Sequence, residues 1–279
     1  LLGMLQRLLT ITRHNLCHTM TSFNCFRACS RETHLDLAFK AFGYLKQVTD
    51  PRIAIDHRPL VFDRSEPQYE KLIPDFLKDY PHAKEEVDSK FPSSFGPVME
   101  STFMCDSDHA HDQATRRSLT GWIGYVGSTP ITWGARRQGA IASSTYAAEF
   151  SALRTATEEA IGLRYMLRCL GCNVPSDGSC PTKIFSDSFS VVQNCQNPAA
   201  DLSKKHVAIS YHLVREAVAA GITAPYWLKG EYNISDIMTK QIPKGPFREH
   251  CGHIFWKPDF HFHTQNRLSD PNSKEISSS

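Results

Sequence analysis

Four acidic residues occupy positions where a carboxylate needs a partner. Asp106 sits among apolar neighbours in FMCDSD, and Glu149 falls in the opening turns of the longest helical stretch (SSTYAAEFSAL). Asp187 ends an apolar run (KIFSD), and Asp236 stands near the head of a short helical stretch (SDIMTK). Taken singly, an Asp at a strand end or helix start is a turn or capping residue. Taken together, such carboxylates can converge at one edge of a sheet, where divalent cations relieve their repulsion. Two cations about 3.5–4 Å apart activate a water and stabilise the leaving oxygen of an in-line phosphoryl displacement. Such a cluster is a candidate hydrolase site.

The elements that must position these acids follow from periodicity. Thr102 to Asp108, Gly121 to Gly127 and Ile131 to Arg136 read as three strands of an antiparallel meander. Thr145 to Leu170 has the strongest helical period. Leu153, Ala156, Ala160, Leu163, Leu167 and Leu170 share one face, and Arg154, Glu158 and Arg168 the other; Ser143 to Thr145 are N-cap candidates and Gly171 is the stop. A strand over Thr182 to Ser186, helices over Phe189 to Cys195 and Lys205 to Ala220, a fifth strand over Thr223 to Leu228 and a helix over Ile234 to Lys240 complete an α/β fold with a mixed sheet covered by helices. Upstream, apolar residues at helical spacing (Leu5, Leu8, Leu9; Leu35, Leu37, Ala38, Ala41, Phe42, Leu45) predict two or three helices before Val48. Thr49 to Val98 is rich in proline and charge and reads as a connector with one short helix near His82 to Ser89. The expected divisions are therefore 1–48, a connector over 49–100, a main domain over 101–245 and a polar, partly disordered tail over 246–279.

The blocks FMCDSDHAHD, TRRSLTGWIGYVG, PITWGARRQ, SSTYAAEFSAL, TKIFSDS, KKHVAISYHLVRE and SDIMTKQIP resemble, in order and spacing, the ribonuclease H segment of copia-type retrotransposon Pol polyproteins. That family reads SDAD, SxSG, ISWxSKKQ, SSTEAEY, CDNQSA, KHIDIRYHxIRE and ADILTK. The resemblance implies a ribonuclease H-like fold with a five-stranded mixed sheet flanked by helices. It also implies two divalent ions, Mg2+ or Mn2+, and cleavage of the RNA strand of an RNA-DNA hybrid during reverse transcription. The family's acidic positions fall on Asp106, Glu149, Asp187 and Asp236, as metal ligands and catalytic residues, and Asp108 is read as a supporting or turn residue. The segment before Lys46 resembles the end of the reverse transcriptase region of the same polyprotein, the natural partner. At Arg13 to Leu16 it departs from the family's TRPDI block and lacks its Asp, and no YxDD-like polymerase motif occurs. Polymerase activity is not expected, and a decayed or co-opted nucleic-acid-binding remnant is the alternative to an active nuclease.

A net charge of only +2 leaves hybrid binding to local patches. Arg116, Arg117, Arg136, Arg137, Lys205 and His206 are the candidates for phosphate contacts, with Lys205 and His206 matching the family's KH pair. The loop LKGEYNIS before Asp236 lacks the histidine that retroviral and cellular relatives place there, so no catalytic histidine is assigned. Nine scattered cysteines, an odd number, fit reduced thiols; the Cys169 and Cys172 pair has no second pair to complete a zinc site. No apolar run is long enough to span a membrane. An intracellular setting, in a virus-like particle or the nucleus, is expected, and a start at Leu1 reads as a fragment.

Overall fold

The computed structural model describes residues 1–48, 51–60, 80–196 and 208–255. Three helices come first: α1 (Leu2–Ile11), α2 (Cys17–Cys25) and α3 (Glu32–Gln47). Strands β1 (Phe95–Val98), β2 (Ser101–Asp108), β3 (Leu119–Val126) and β4 (Thr129–Arg137) lead into the long helix α4 (Thr145–Cys169). After it come β5 (Cys172–Asn173), β6 (Thr182–Ser186), α5 (Phe189–Gln196), α6 (Ala208–Ala219), β7 (Thr223–Trp227), α7 (Asp236–Thr239) and α8 (Lys244–Ile254).

The main sheet has the order β4-β3-β2-β6-β7. β2, β3 and β4 are antiparallel, and β6 and β7 add parallel to β2. This is the α/β ribonuclease H-like arrangement, a five-stranded mixed sheet flanked by helices. Strand alternation divides β2 between two cores. Phe103 and Cys105 pack with Phe150, Leu153 and Ala160 of α4 and with Val214 and Val218 of α6. Met104 instead joins Ile123, Tyr125, Ile237 and Met238, and the helices before Val48 cover this face with Leu5, Leu9, Leu16, Met20 and Phe23. Polar contacts tie that layer to β4: Trp133 Nε1 donates to the Leu9 carbonyl at 2.9 Å and Thr21 Oγ1 to the Ala135 carbonyl at 3.2 Å.

α4 starts as its sequence suggests, with Ser144 Oγ accepting from the Ala147 amide at 3.2 Å, and ends at Gly171, whose φ of +77° suits the residue that lacks a Cβ. Its polar face differs from expectation. Leu170 is 71% exposed, whereas Arg168 is buried beside Arg164. Glu85 explains this by accepting from Arg164 Nη2 and Arg168 Nη1, each at 2.7 Å. The helix expected near His82 to Ser89 is absent: this stretch opens in a turn and then takes no regular secondary structure, with Glu85 at the guanidinium groups. β1 then pairs parallel with β5. The beginning of the helix expected from Lys205 and the tail from residue 256 lie outside the described residues.

Candidate active site

Each acid reaches the edge of the sheet from a different element. Asp106 is the sixth residue of β2 and fully buried. Asp187 follows the last residue of β6, Glu149 lies one turn into α4, and Asp236 opens α7. One oxygen each from Asp106, Asp187 and Asp236 lie within 4.8 Å of one another, and among the described residues this is the only group of three or more potential metal ligands so close. Glu149 stands just outside that triad. It is buried, and its Oε2 has no hydrogen-bond partner.

α7 can lie over Asp106 because β3 offers it a glycine. Gly121 is the cross-strand partner of Asp106, and a Cβ there would stand 2.6 Å from Thr239 Cγ2 and 2.7 Å from Met238 Cβ. With that space open, the Thr239 hydroxyl donates to Asp106 Oδ2. Lys240 Nζ donates to Asp106 Oδ1 at 3.0 Å and to Asp236 Oδ1 at 3.2 Å. The turn into α7 is fixed by Asn233, which is fully buried; its Nδ2 donates to the Cys105 carbonyl at 3.0 Å, one residue before Asp106. Asp187 is anchored through its backbone, whose carbonyl accepts from Trp227 Nε1 at 3.0 Å.

The electrostatics record an excess of negative charge. Burial, followed by the charges on Asp106 and Asp187, pushes the Glu149 carboxyl up to about 9. Burial and Asp106 push Asp236 up to about 7 against the opposing pull of Lys240, and the same causes raise Asp187. Burial alone would lower the Lys240 ammonium, but Asp106 and Asp236 hold it above its ordinary value. A donor set of carboxylate oxygens, one of them orphaned, fits hard divalent cations.

The basic residues singled out in the sequence behave differently. Register places Arg137 beside Leu119, the partner of Asp108, and Arg136 beside Thr120, the partner of Ser107, so both flank the acidic end of the sheet. Arg137 is paired with Asp112 at 2.7 Å, and the Arg136 guanidinium lies 5.6 Å from the Trp122 ring centre and 3.6 Å from Glu158. Arg116, exposed with a φ of +57°, and Arg117 sit in the turn before β3. Lys205 and His206 lie outside the described residues. Asp108 engages His111 at 2.7 Å and is not part of the triad. Sequence reasoning overlooked Thr239, Lys240 and Asn233. Lys240 had a usable signal, since a Lys four residues after an Asp faces it across one helical turn.

No family model matches the chain. It is 27% identical over 149 residues to the retrovirus-related Pol polyprotein from transposon RE1 of Arabidopsis thaliana, covering 53% of this chain and 10% of that protein. With the corresponding polyprotein from transposon TNT 1-94 of Nicotiana tabacum it shares 28% identity over 142 residues, 51% of this chain and 10% of that protein. The chain thus spans about a tenth of the length of the curated relatives it matches. Among solved structures, the N-terminal ribonuclease H domain of a Mycobacterium tuberculosis protein aligns with a TM-score of 0.38 at 13% identity, over 55% of this chain and 96% of that one. Ribonuclease H1 of Halobacterium salinarum aligns with a TM-score of 0.37 at 17% identity, over 51% of this chain and 95% of that one. Among the described residues no helix is long and apolar enough to cross a membrane. Over about half its length the chain is similar to retrovirus-related Pol polyproteins of plant transposons, and its five-stranded mixed sheet with flanking helices is ribonuclease H-like.

Proposed function

We propose that this site hydrolyses the RNA strand of RNA-DNA hybrids during retrotransposon reverse transcription, with Asp106, Glu149, Asp187 and Asp236 as its catalytic residues. The observation that carries the reading is the convergence of three carboxylates from β2, β6 and α7, with the unpartnered Glu149 oxygen beside them. Asp106, Glu149, Asp187 and Asp236 would together hold two divalent ions, Mg2+ or Mn2+. Bound there, the ions would supply the charge that activates the attacking water and stabilises the leaving oxygen. The protein's own work is positioning: Thr239 and Lys240 orient Asp106, and Asn233 sets the turn that carries Asp236.

Hybrid binding is assigned to Arg116, Arg117, Arg136, Arg137, Lys205 and His206 through phosphate contacts that carry no sequence information. Discrimination of RNA from DNA would rest on groove shape and 2′-hydroxyls. The reverse transcriptase portion of the same polyprotein is the proposed partner in cis. Retention of all four acids favours a working nuclease over a binding remnant.

The test is cleavage of a labelled RNA-DNA hybrid in Mg2+, Mn2+ and EDTA, comparing the full chain with Asp106→Asn. Metal-dependent products from the RNA strand alone are expected, with a loss of orders of magnitude in the variant and little change in hybrid binding. A chain that binds hybrid and cuts it with neither metal supports the remnant.

A further inference from the structure

The acidic edge carries its own cation. Lys240 lies one helical turn beyond Asp236, so its four-carbon stem returns the ammonium to the carboxylates instead of leading it away. Nζ sits 3.0 Å from Asp106 Oδ1 and 3.2 Å from Asp236 Oδ1, bridging two of the three residues of the triad. The Lys240 side chain keeps 36% of its surface exposed while that of Asp106 has none, so the lysine stands at the solvent-facing margin of the site. An ammonium bridging these two carboxylates and a divalent cation bound by the same carboxylates are like charges held a few Å apart, so each weakens the hold of the other.

We propose that Lys240 is a built-in countercation: it holds the acidic edge together while no metal is bound and is displaced towards solvent by the incoming divalent ion. The chain's own charge thereby sets the metal concentration at which the site fills. This rests on reading the four acids as a metal centre. It assigns Lys240 a positioning role through Asp106 and Asp236, in competition with the metal.

The experiment uses the full chain with Mn2+ alone, without nucleic acid. Lys240→Met removes the competing charge, so calorimetric titration should show Mn2+ binding about tenfold or more tighter than in the parent, and the melting temperature in EDTA should fall. Lys240→Arg keeps the charge and should return both quantities towards the parent values. A purely structural lysine would give Lys240→Met equal or weaker Mn2+ binding, which overturns the proposal. A second readout needs no variant: acylation of lysines in the parent, followed by peptide mass spectrometry. Labelling of Lys240 should be low in EDTA and rise severalfold with saturating Mn2+. Metal binding with no rise at Lys240 overturns this inference alone, whereas a parent that binds no Mn2+ overturns the metal-centre reading with it.

Discussion

Among the described residues two clusters of buried charge stand out, and they are built on opposite terms. In the first, Glu85 is enclosed with Arg164 and Arg168, its side chain 7% exposed and theirs 1% and 9%. The guanidinium donors that Glu85 leaves over go to backbone carbonyls: Arg164 Nη1 to Cys180 at 2.9 Å, and Arg168 Nε to Val174 at 3.0 Å. In the second cluster four carboxylates meet one ammonium, and one oxygen of Glu149 is left without a partner. The first is chemically complete. The second is complete only with cations it does not itself supply. Buried charge that finds its partners within the chain serves the fold, whereas a buried excess of one sign marks a place for a ligand.

The largest effect that would break this contrast is on stability. Glu85→Gln strands two guanidiniums in the interior, where breaking one side of a buried ion pair costs about 3–5 kcal/mol. Chemical denaturation of the full chain should show that loss. A cost below about 1 kcal/mol, the worth of an exposed pair, would mean that the segment around Glu85 is only loosely held against α4.

A smaller effect distinguishes the clusters by the sign of their pH dependence. For Glu85, burial alone would raise the carboxyl, but the hydrogen bonds from Arg164 and Arg168 outweigh it and hold the group below its ordinary value. Its contribution is therefore present above the ordinary carboxylate range and is lost as pH falls through the lowered value. Glu149 and Asp236 are pushed up, to about 9 and about 7, so their contribution is present below the ordinary carboxylate range and is lost as pH rises through those values. Of the two clusters only the second titrates in this way. A window from about pH 7 to about pH 8 keeps clear of His14, His18, His250 and His253, whose lowered values give the opposite slope at lower pH, and of the buried thiols at higher pH. In EDTA the melting temperature should decline across that window, by about 2–4 °C for each 1 kcal/mol lost, and saturating Mg2+ should flatten the decline. A rise with pH in EDTA would contradict the assignment of excess charge to the site.

The two clusters were unequally legible in the sequence. The acids could be found because each lies in or beside an element legible in the sequence: Asp106 within β2, Asp187 just after β6, Glu149 one turn into α4 and Asp236 at the start of α7. The ordered motif blocks then supplied the fold. The Glu85 cluster was hidden because its partners lie 79 and 83 residues away, and periodicity within α4 places Arg168 on a polar face whatever comes to meet it. The same blindness produced the unformed helix near His82 to Ser89, where local propensity yields to a distant ion pair. The helices before Val48 were legible as helices but not as the cover of the sheet. Leu35 and Leu37, assigned to an apolar patch, are about half exposed, while Leu5 and Leu9 of α1 reach the core.

The central claim, that the second cluster is an incomplete charge set serving catalysis, is tested most directly by Asp187→Asn. Asp187 adds repulsion to the Asp106 carboxylate, so its neutral isostere should leave the melting temperature in EDTA unchanged or higher. The measurement is that melting temperature together with the rate of RNA-strand cleavage of a labelled hybrid in Mg2+, for the parent and the variant. The expected result is a stability equal to or above the parent with cleavage at least about a hundredfold slower, more than about 2.7 kcal/mol of lost transition-state stabilisation. A variant that cuts as fast as the parent, or that loses stability as Glu85→Gln does, would contradict it.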